Sequence, residues 1–164
     1  MAEIYVNISN FPNYQVSNLG NVKNITTGRI LKAGTNSGGY LTVVLSNDGD
    51  ASSIKVHRLV GNAFIENPVN KECIDHINHN KKDNNVLNLR WATKLENCQN
   101  RSISTNNTSG YSGITYVEKS NKWRVKITVN RRPKHLGYFV NKEDAIRVRQ
   151  EAEVLYFGEF QALI

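Results

Sequence analysis

The sequence predicts an α+β fold in three pieces: a small N-terminal β meander, a central segment of short strands and helices, and a C-terminal three-stranded antiparallel sheet packed on one helix. Three observations predict it. Short β-branched and aromatic runs bounded by Asn/Gly turns fill residues 1–50 and 113–140. Apolar residues recur at helical spacing at Leu59, Ala63 and Phe64, and again at Ala145, Val148, Ala152 and Leu155. Between them Ser102–Ser109 is Ser/Thr/Asn-rich, has Ile103 as its one hydrophobe, and reads as a linker. The expected pieces are residues 1–50, 51–105 and 106–164.

In the first piece, Tyr14, Val16 and Leu19 precede a Gly20-Asn21 turn and Val22. Ile30-Leu31-Lys32, the turn Asn36-Ser37-Gly38-Gly39 and the run Tyr40–Leu45 complete the meander, and Asn47-Asp48-Gly49-Asp50 is a further turn. His57–Ile65 reads as a short helix stopped by Asn67-Pro68. Ile74–Ile77 is expected as a strand and His79-Asn80-Lys81-Lys82 as a polar turn. A helix carrying Val86, Leu87 and Leu89 is expected from Asp83-Asn84, with Asn84 and Asn85 as its cap. Trp91 is expected in the core, and a second helical stretch covers Thr93 to about Asn100.

Past the linker, strands are expected at Gly113–Val117, Trp123–Val129 and Lys134–Val140. Their turns fall at Ser120-Asn121 and Asn130-Arg131-Arg132-Pro133. Asn141 followed by an acid three residues later resembles a capping box. It opens the helix of Ala145, Val148, Ala152 and Leu155, which Gly158 ends.

Charge narrows the function. The net charge of +7 favours a polyanionic partner, nucleic acid before an anionic membrane. It is uneven: the three pieces carry 0, +3 and +4, and residues 111–140 alone hold seven basic residues against one acidic. Two cysteines, Cys73 and Cys98, without a CxxC argue against a zinc knuckle and a disulfide framework; both are expected as free thiols with no evident role. No apolar run approaches the roughly 20 residues of a membrane span. The N-terminus lacks the basic start and apolar core of a signal peptide. A cytoplasmic protein without membrane association is therefore expected, a monomer with no obligate protein partner.

The chemistry concentrates in CIDHINHNKKDNNVLNLRWATKLENCQN, which begins at Cys73. It holds a strand-borne Asp75-His76, a polar hairpin loop, Asn88 twelve residues after His76, and Asn97 twenty-two residues after Asp75. Phosphodiester hydrolysis needs a base for water, a cation for the phosphate and leaving oxygen, and a group that orients the base. Asp75 and Asn97 are hard oxygen donors suited to Mg²⁺ or Mn²⁺ and poor for zinc. Successive strand residues face opposite ways, so Asp75 and His76 can serve one site in different roles only if the hairpin twists or the strand ends there.

The stretch Val56-His57-Arg58-Leu59-Val60, Ala63-Phe64-Ile65, Asn67-Pro68, Asp75-His76-Ile77-Asn78, Asn84-Asn85, Asn88-Leu89-Arg90-Trp91-Ala92-Thr93 and Glu96-Asn97 resembles the HNH homing endonucleases of phages. The resemblance covers nearly all of 51–100. Residues 8–45, with Phe11-Pro12-Asn13-Tyr14-Gln15-Val16-Ser17-Asn18-Leu19-Gly20-Asn21-Val22, resemble a small module found upstream of such nucleases. The first resemblance implies a ββα-metal finger, in which a two-stranded ribbon and a helix cradle one divalent cation. It implies His76 as general base, Asp75 and Asn97 as metal ligands, and Asn88 as the residue that bonds the hairpin backbone and orients the loop. The last position of the name motif is Asn97 rather than His, which again favours hard metals. Products ending in a 5′-phosphate and a 3′-hydroxyl are expected. His57 is expected to be a hydrogen-bonded structural residue, and His79 lies where it could touch DNA.

Residues 110–160 resemble the plant ethylene-response-factor (APETALA) type of DNA-binding domain, through Gly110-Tyr111-Ser112-Gly113-Ile114, Lys122-Trp123-Arg124-Val125-Lys126-Ile127, Leu136-Gly137-Tyr138-Phe139, Glu143-Asp144-Ala145 and Phe157-Gly158. The resemblance implies a sheet lying in the major groove of double-stranded DNA. The charge split agrees, because helix residues 141–159 hold three basic and five acidic residues. Alternation puts Arg124, Lys126 and Thr128 on one face, and Trp123, Val125, Ile127 and Val129 on the other. The polar set is expected in the groove, with Arg124 suited to guanine. Lys119, Lys122, Arg131, Arg132 and Lys134 are expected on phosphates, and His135 on the sheet. Ser112, Thr115 and Val117 replace that family's first-strand arginines, so no target sequence carries over. A site-recognising DNA endonuclease is the function expected, with a DNA-binding regulator carrying an inactive nuclease module as the alternative. An RNA-binding sheet is disfavoured by the lack of an aromatic stacking motif.

Overall fold

The computed structural model describes residues 1–100 and 106–160, and its contacts divide the chain into two compact units, Met1–Lys94 and Leu95–Ile164. Residues 101–105, which include the first four of the expected linker, lie outside the described residues.

The first unit opens with two small antiparallel sheets. Strands β1 (Tyr5–Ile8), β2 (Phe11–Ser17) and β3 (Val22–Asn24) form one, in the order β1-β2-β3. The β2–β3 turn closes through Ser17, whose Oγ accepts from Asn21 N at 2.9 Å, and through Gly20 at φ +89°. Strands β4 (Gly34–Thr35), β5 (Leu41–Asn47) and β6 (Asp50–Lys55) form the other. Asn36 Oδ1 shapes the β4–β5 turn by accepting from Gly38 N and Tyr40 N, each at 3.0 Å. Asp48 and Gly49, at φ 51° and 91°, make the two-residue β5–β6 hairpin. The N-terminal β signal thus folds as two sheets rather than a single meander.

Strand β6 runs straight into helix α1 (Val56–Phe64). Val56, Leu59 and Val60 of α1 join Val16, Val22, Val43, Leu45, Ile74 and Leu89 in one core. A Cβ on Gly61 would stand 2.1 Å from Ile74 Cδ1, so glycine lets α1 lie directly on the next strand. That strand, β7 (Cys73–His76), pairs antiparallel with β8 (Leu89–Ala92).

The helix expected from Asp83 is absent: residues Val86–Asn88 make a single 3₁₀ turn and Leu89 already belongs to β8. Side chains explain it. Asn78 Oδ1, Asn80 Oδ1 and Asp83 Oδ1 each accept from a backbone N–H two residues on, and Asn85 Oδ1 caps Leu87 N at 3.0 Å. Such local bonds compete with helix. Asn85 is the cap expected, while Asn84 has another partner, described below. Trp91 is half-buried, and its indole N–H donates to Ile65 O at 2.9 Å.

In the second unit, α2 (Lys94–Gln99) overlaps the unit boundary, and β9 (Ile114–Val117), β10 (Lys122–Val129) and β11 (Arg132–Phe139) form a sheet in the order β11-β10-β9. Helix α3 (Lys142–Phe157) packs on β10. Asn130 and Arg131 alone make the β10–β11 turn, both in the left-handed region at φ 49° and 63°. Arg132 and Pro133, expected in that turn, begin β11, an edge strand where proline is tolerated. The capping box at Asn141 does not form, since its side chain makes no cap hydrogen bond.

Helix α3 also buries a different face from the one expected. Ala145 and Ala152 are buried as expected, but with Arg149 and Glu153, while Leu155 is 74% exposed. Arg149 bonds Glu153 Oε1 from Nε (2.9 Å) and Nη2 (2.8 Å), and donates from Nη1 to Lys126 O at 2.7 Å. Gly113, at φ +74°, makes room: a Cβ there would meet Lys126 O at 2.3 Å and Arg149 Nη1 at 3.0 Å. Cys73 is half-buried and Cys98 is exposed. No described helix is long and apolar enough to cross a membrane.

Candidate functional site

Pairing of β7 with β8 builds the site. The register sets Asp75 opposite Arg90 and His76 opposite Leu89. Because cross-strand partners share a face, Arg90 reaches the Asp75 carboxylate, and its Nε and Nη2 donate to Asp75 Oδ2 at 3.0 and 2.9 Å. Asp75 and His76 are both buried, at 5% exposure each. Burial of both suits groups that chemistry must hold in one geometry.

The loop between the strands is tied by Asn88. Its Nδ2 donates to Asp83 O at 2.8 Å, its Oδ1 accepts from Asn78 N at 3.0 Å, and its carbonyl accepts from Ile77 N at 2.9 Å. One residue thereby bonds both ends of the hairpin loop. His79 stands at the turn itself, at φ 62°, with its N–H on His76 O at 3.0 Å.

His76 Nε2 lies 3.1 Å from Asn84 Oδ1. An Asn84 oxygen at that place accepts, which favours the tautomer with the proton on Nε2. Burial holds the His76 imidazole below its ordinary 6.5, opposed by the Asn84 bond and by the charges of Asp75 and Asp83. A neutral ring with a defined basic nitrogen results.

Two more rings meet His76. His57 packs edge-on at 5.0 Å between centroids, and Tyr40 touches both, at 4.9 Å from His57 and 5.9 Å from His76. The ammonium groups of Lys55 and Lys81 each lie 4.9 Å from the Tyr40 ring centre. His57 departs from the expected hydrogen-bonded role: it is buried, and its Nδ1 has no partner among the described residues.

Burial pushes the His57 imidazole down to about 3, with the charges of His76, Lys55 and Arg58 acting in the same direction. The unfolded chain takes up this proton below about 6.5 and the folded chain only near 3. Stability should therefore fall as pH drops through that window, by about 1.4 kcal/mol per pH unit for one proton. His57→Phe should flatten the slope in urea denaturation at a series of pH values. An unchanged slope would mean that His57 titrates normally in the fold.

Asn97 lies half-buried on α2 and belongs to the second unit. Among the described residues no group of three or more His, Cys, Asp or Glu side chains is placed to hold a metal. Asp75 itself offers hard carboxylate oxygens, which suit Mg²⁺ or Mn²⁺.

The second unit carries its own basic face. Val125 and Ile127 are buried toward α3, Lys126 and Thr128 are exposed opposite them, and Arg124 is half-buried. Arg124 stands between Thr115 of β9 and Tyr138 of β11, and its Nε is buried without a partner. A bulge between Val125 and Lys126 brings His135 opposite Lys126, where its ring packs on Tyr138 at 4.8 Å. Lys119, Lys122, Arg131 and Arg132 are exposed. Lys134 departs from the expected placement. It pairs with the inward Ile127, and its ammonium lies 3.3 Å from Tyr156 Oη and 4.4 Å from that ring, on the α3 side.

Tyr40 was not singled out in the sequence, and Asn84 and Arg90, though inside the family-like stretch, were given no role at the site. The register of β7 against β8 would have found Arg90.

Residues 55–99 match the model of the HNH endonuclease family, and residues 3–46 match that of the NUMOD4 motif. An uncharacterized HNH endonuclease of Acanthamoeba polyphaga mimivirus is 50% identical over 95 residues, 56% of this chain and 24% of that protein. The DNA endonuclease I-HmuI of Bacillus phage SP01 is 39% identical over 88 residues, 54% of this chain and 51% of that protein. The H-N-H endonuclease F-TflII of Escherichia phage T5 is 27% identical over 129 residues, 77% of this chain and 67% of that protein. A solved structure described as DNA binding and cleavage by the HNH homing endonuclease I-HmuI superposes with a TM-score of 0.57 at 25% identity, covering 94% of this chain and 91% of that one. The matched region spans about a quarter of the mimivirus protein and about half of I-HmuI.

Proposed function

We propose that this chain, which carries a NUMOD4 motif followed by an HNH endonuclease domain, is a site-recognising DNA endonuclease of the homing type. One observation carries the reading. The buried Asp75-His76 pair sits on a hairpin tied by Asn88, and each member is fixed by its own polar partner, Arg90 or Asn84.

In this reading His76 is the general base, and Nδ1 takes the proton from the attacking water while Nε2–H stays on Asn84 Oδ1. The Asp75 and Asp83 charges, which raise the affinity of His76 for a proton, stabilise the imidazolium that forms. Asn88 keeps the loop carrying the base in register with β8. Asp75 and Asn97 would hold one divalent cation, and their hard oxygens suit Mg²⁺ or Mn²⁺. Such a cation would supply charge neutralisation at the scissile phosphate and the leaving oxygen. Arg90 orients the Asp75 carboxylate for that task, in the way that outer partners fix metal ligands. The products end in a 5′-phosphate and a 3′-hydroxyl.

Site choice is assigned to the β9–β11 sheet, reading double-stranded DNA as the APETALA-type domain does. Arg124, Lys126 and Thr128 face the groove, with Arg124 on a guanine edge. Lys119, Lys122, Arg131 and Arg132 hold phosphates. The turned-in Lys134 is left out of this face, and His79 is assigned a contact near the cleavage point.

Sequencing the ends cut from a random DNA library tests the reading. A site-recognising endonuclease yields one enriched motif with 5′-phosphate ends. Arg124→Ala should lose on the order of 1–3 kcal/mol of discrimination at one base position of that motif. Uniform cutting would contradict site recognition. Binding without any cut ends would favour the regulator with an inactive nuclease module.

A further inference from the structure

The sequence-matched nuclease segment begins at residue 55 and the upstream motif ends at residue 46. Contacts do not respect that division, since both lie inside the one compact unit Met1–Lys94. Four separate contacts cross it at the hairpin that carries the base. Asn18 O accepts from Val86 N at 2.8 Å. Gly38 O accepts from Lys81 Nζ at 2.9 Å. Gly20 packs against Asn84 so closely that a Cβ on it would stand 2.8 Å from Asn84 Cβ and 3.3 Å from Asn84 O. The Tyr40 ring lies against both His57 and His76.

We propose that the N-terminal sheets are a wall of the nuclease site, with Gly20 and Tyr40 acting as positioning residues that hold Asn84 and the His76 ring. The inference rests on the assignment of His76 as base.

The two contacts act at different points of the same arrangement. Asn84 decides which nitrogen of His76 carries the proton, and Gly20 decides where Asn84 can sit. At φ +89° any other residue is strained, and its Cβ would push Asn84 away from the ring. Tyr40 acts on the ring plane. It is half-buried, and its ring packs on both His57 and His76. His57 completes the packing as a neutral edge, because its unpartnered Nδ1 offers His76 no competing hydrogen bond. The Tyr40 hydroxyl has no assigned task, so the ring alone should suffice.

Single-turnover cleavage by the full chain, read together with ¹⁵N shifts of the His76 ring, tests this. Tyr40→Ala should lower the cleavage rate on the order of tenfold or more with little change in the DNA concentration for half-saturation, and should mix the His76 tautomers. Tyr40→Phe should restore both readouts. Gly20→Ala should reproduce the tautomer mixing through Asn84. A parent-like rate and tautomer in Tyr40→Ala would overturn the proposal, and so would a rate loss with the tautomer unchanged. His76→Ala run beside them separates the two readings. If it cuts as fast as the parent, the assignment of the base fails; if it is inactive while Tyr40→Ala is parent-like, only the positioning role fails.

Discussion

His76→Ala is expected to lower the single-turnover cleavage rate on the order of 10²–10⁴-fold while DNA binding stays close to that of the parent. The size follows from what a positioned base contributes to removing a proton from water in the transition state. The selectivity follows from where His76 sits. It is 5% exposed and its ring is covered by His57 and Tyr40, so it offers bound DNA little contact area. The measurement is cleavage at saturating protein beside a separate binding titration. Equal loss in both would place His76 in binding rather than in chemistry. Asn84→Ala should give a smaller loss, because the ring remains but its tautomer is no longer fixed.

The second large effect concerns stability. Arg149→Ala should destabilise the second unit by about 3–5 kcal/mol, since it leaves the Glu153 carboxylate buried without its partner. The pair qualifies because its side chains are only 8% and 7% exposed and Arg149 also satisfies Lys126 O. The unit spans residues 95–164 around a small core of Ile114, Val125 and Ala145. Cores of that size supply roughly 3–5 kcal/mol, so the single change should unfold it near room temperature. Urea denaturation followed through Trp123, with Trp91 replaced by Phe, reads it directly. Replacing both partners, Arg149→Met with Glu153→Leu, should recover most of the loss, because no charge is then stranded. A parent-like midpoint for Arg149→Ala would show that the pair contributes nothing. The exposed Arg147–Glu151 pair on the same helix should contribute little, because solvent screens it.

The contrast between these pairs also explains what the sequence concealed. Arg149 and Glu153 stand four apart, as Arg147 and Glu151 do, and spacing alone cannot say which pair faces the core. The apolar pattern pointed to Leu155, yet the short Ala145 and Ala152 are what let the sheet approach α3. Around the site, Asp75, His76 and Asn88 were singled out by their likeness to the HNH nucleases, and the fold brings them onto one hairpin. Arg90 and Asn84 were given no role there. A helix expected from Asp83 hid the register of β8, and the Asn and Asp side chains of the loop formed local turns instead. Tyr40 and Gly20 were invisible for a different reason: Tyr40 packs on His76 and Gly20 on Asn84, each more than thirty residues away in the chain, which no local pattern encodes. The three C-terminal strands were legible to within two residues because alternation and turn residues agree there. The exception was Pro133, which joins an edge strand where its missing N–H does no harm.

The most direct test is conversion of supercoiled plasmid by the parent chain with Mg²⁺ or Mn²⁺, set against the same reaction in excess EDTA. Nicked or linear DNA is expected with the cation, none with EDTA, and recovery when the cation is restored. Cutting that persists at full rate in EDTA, or plasmid that stays supercoiled with either cation although the protein is bound to it, would contradict metal-dependent cleavage.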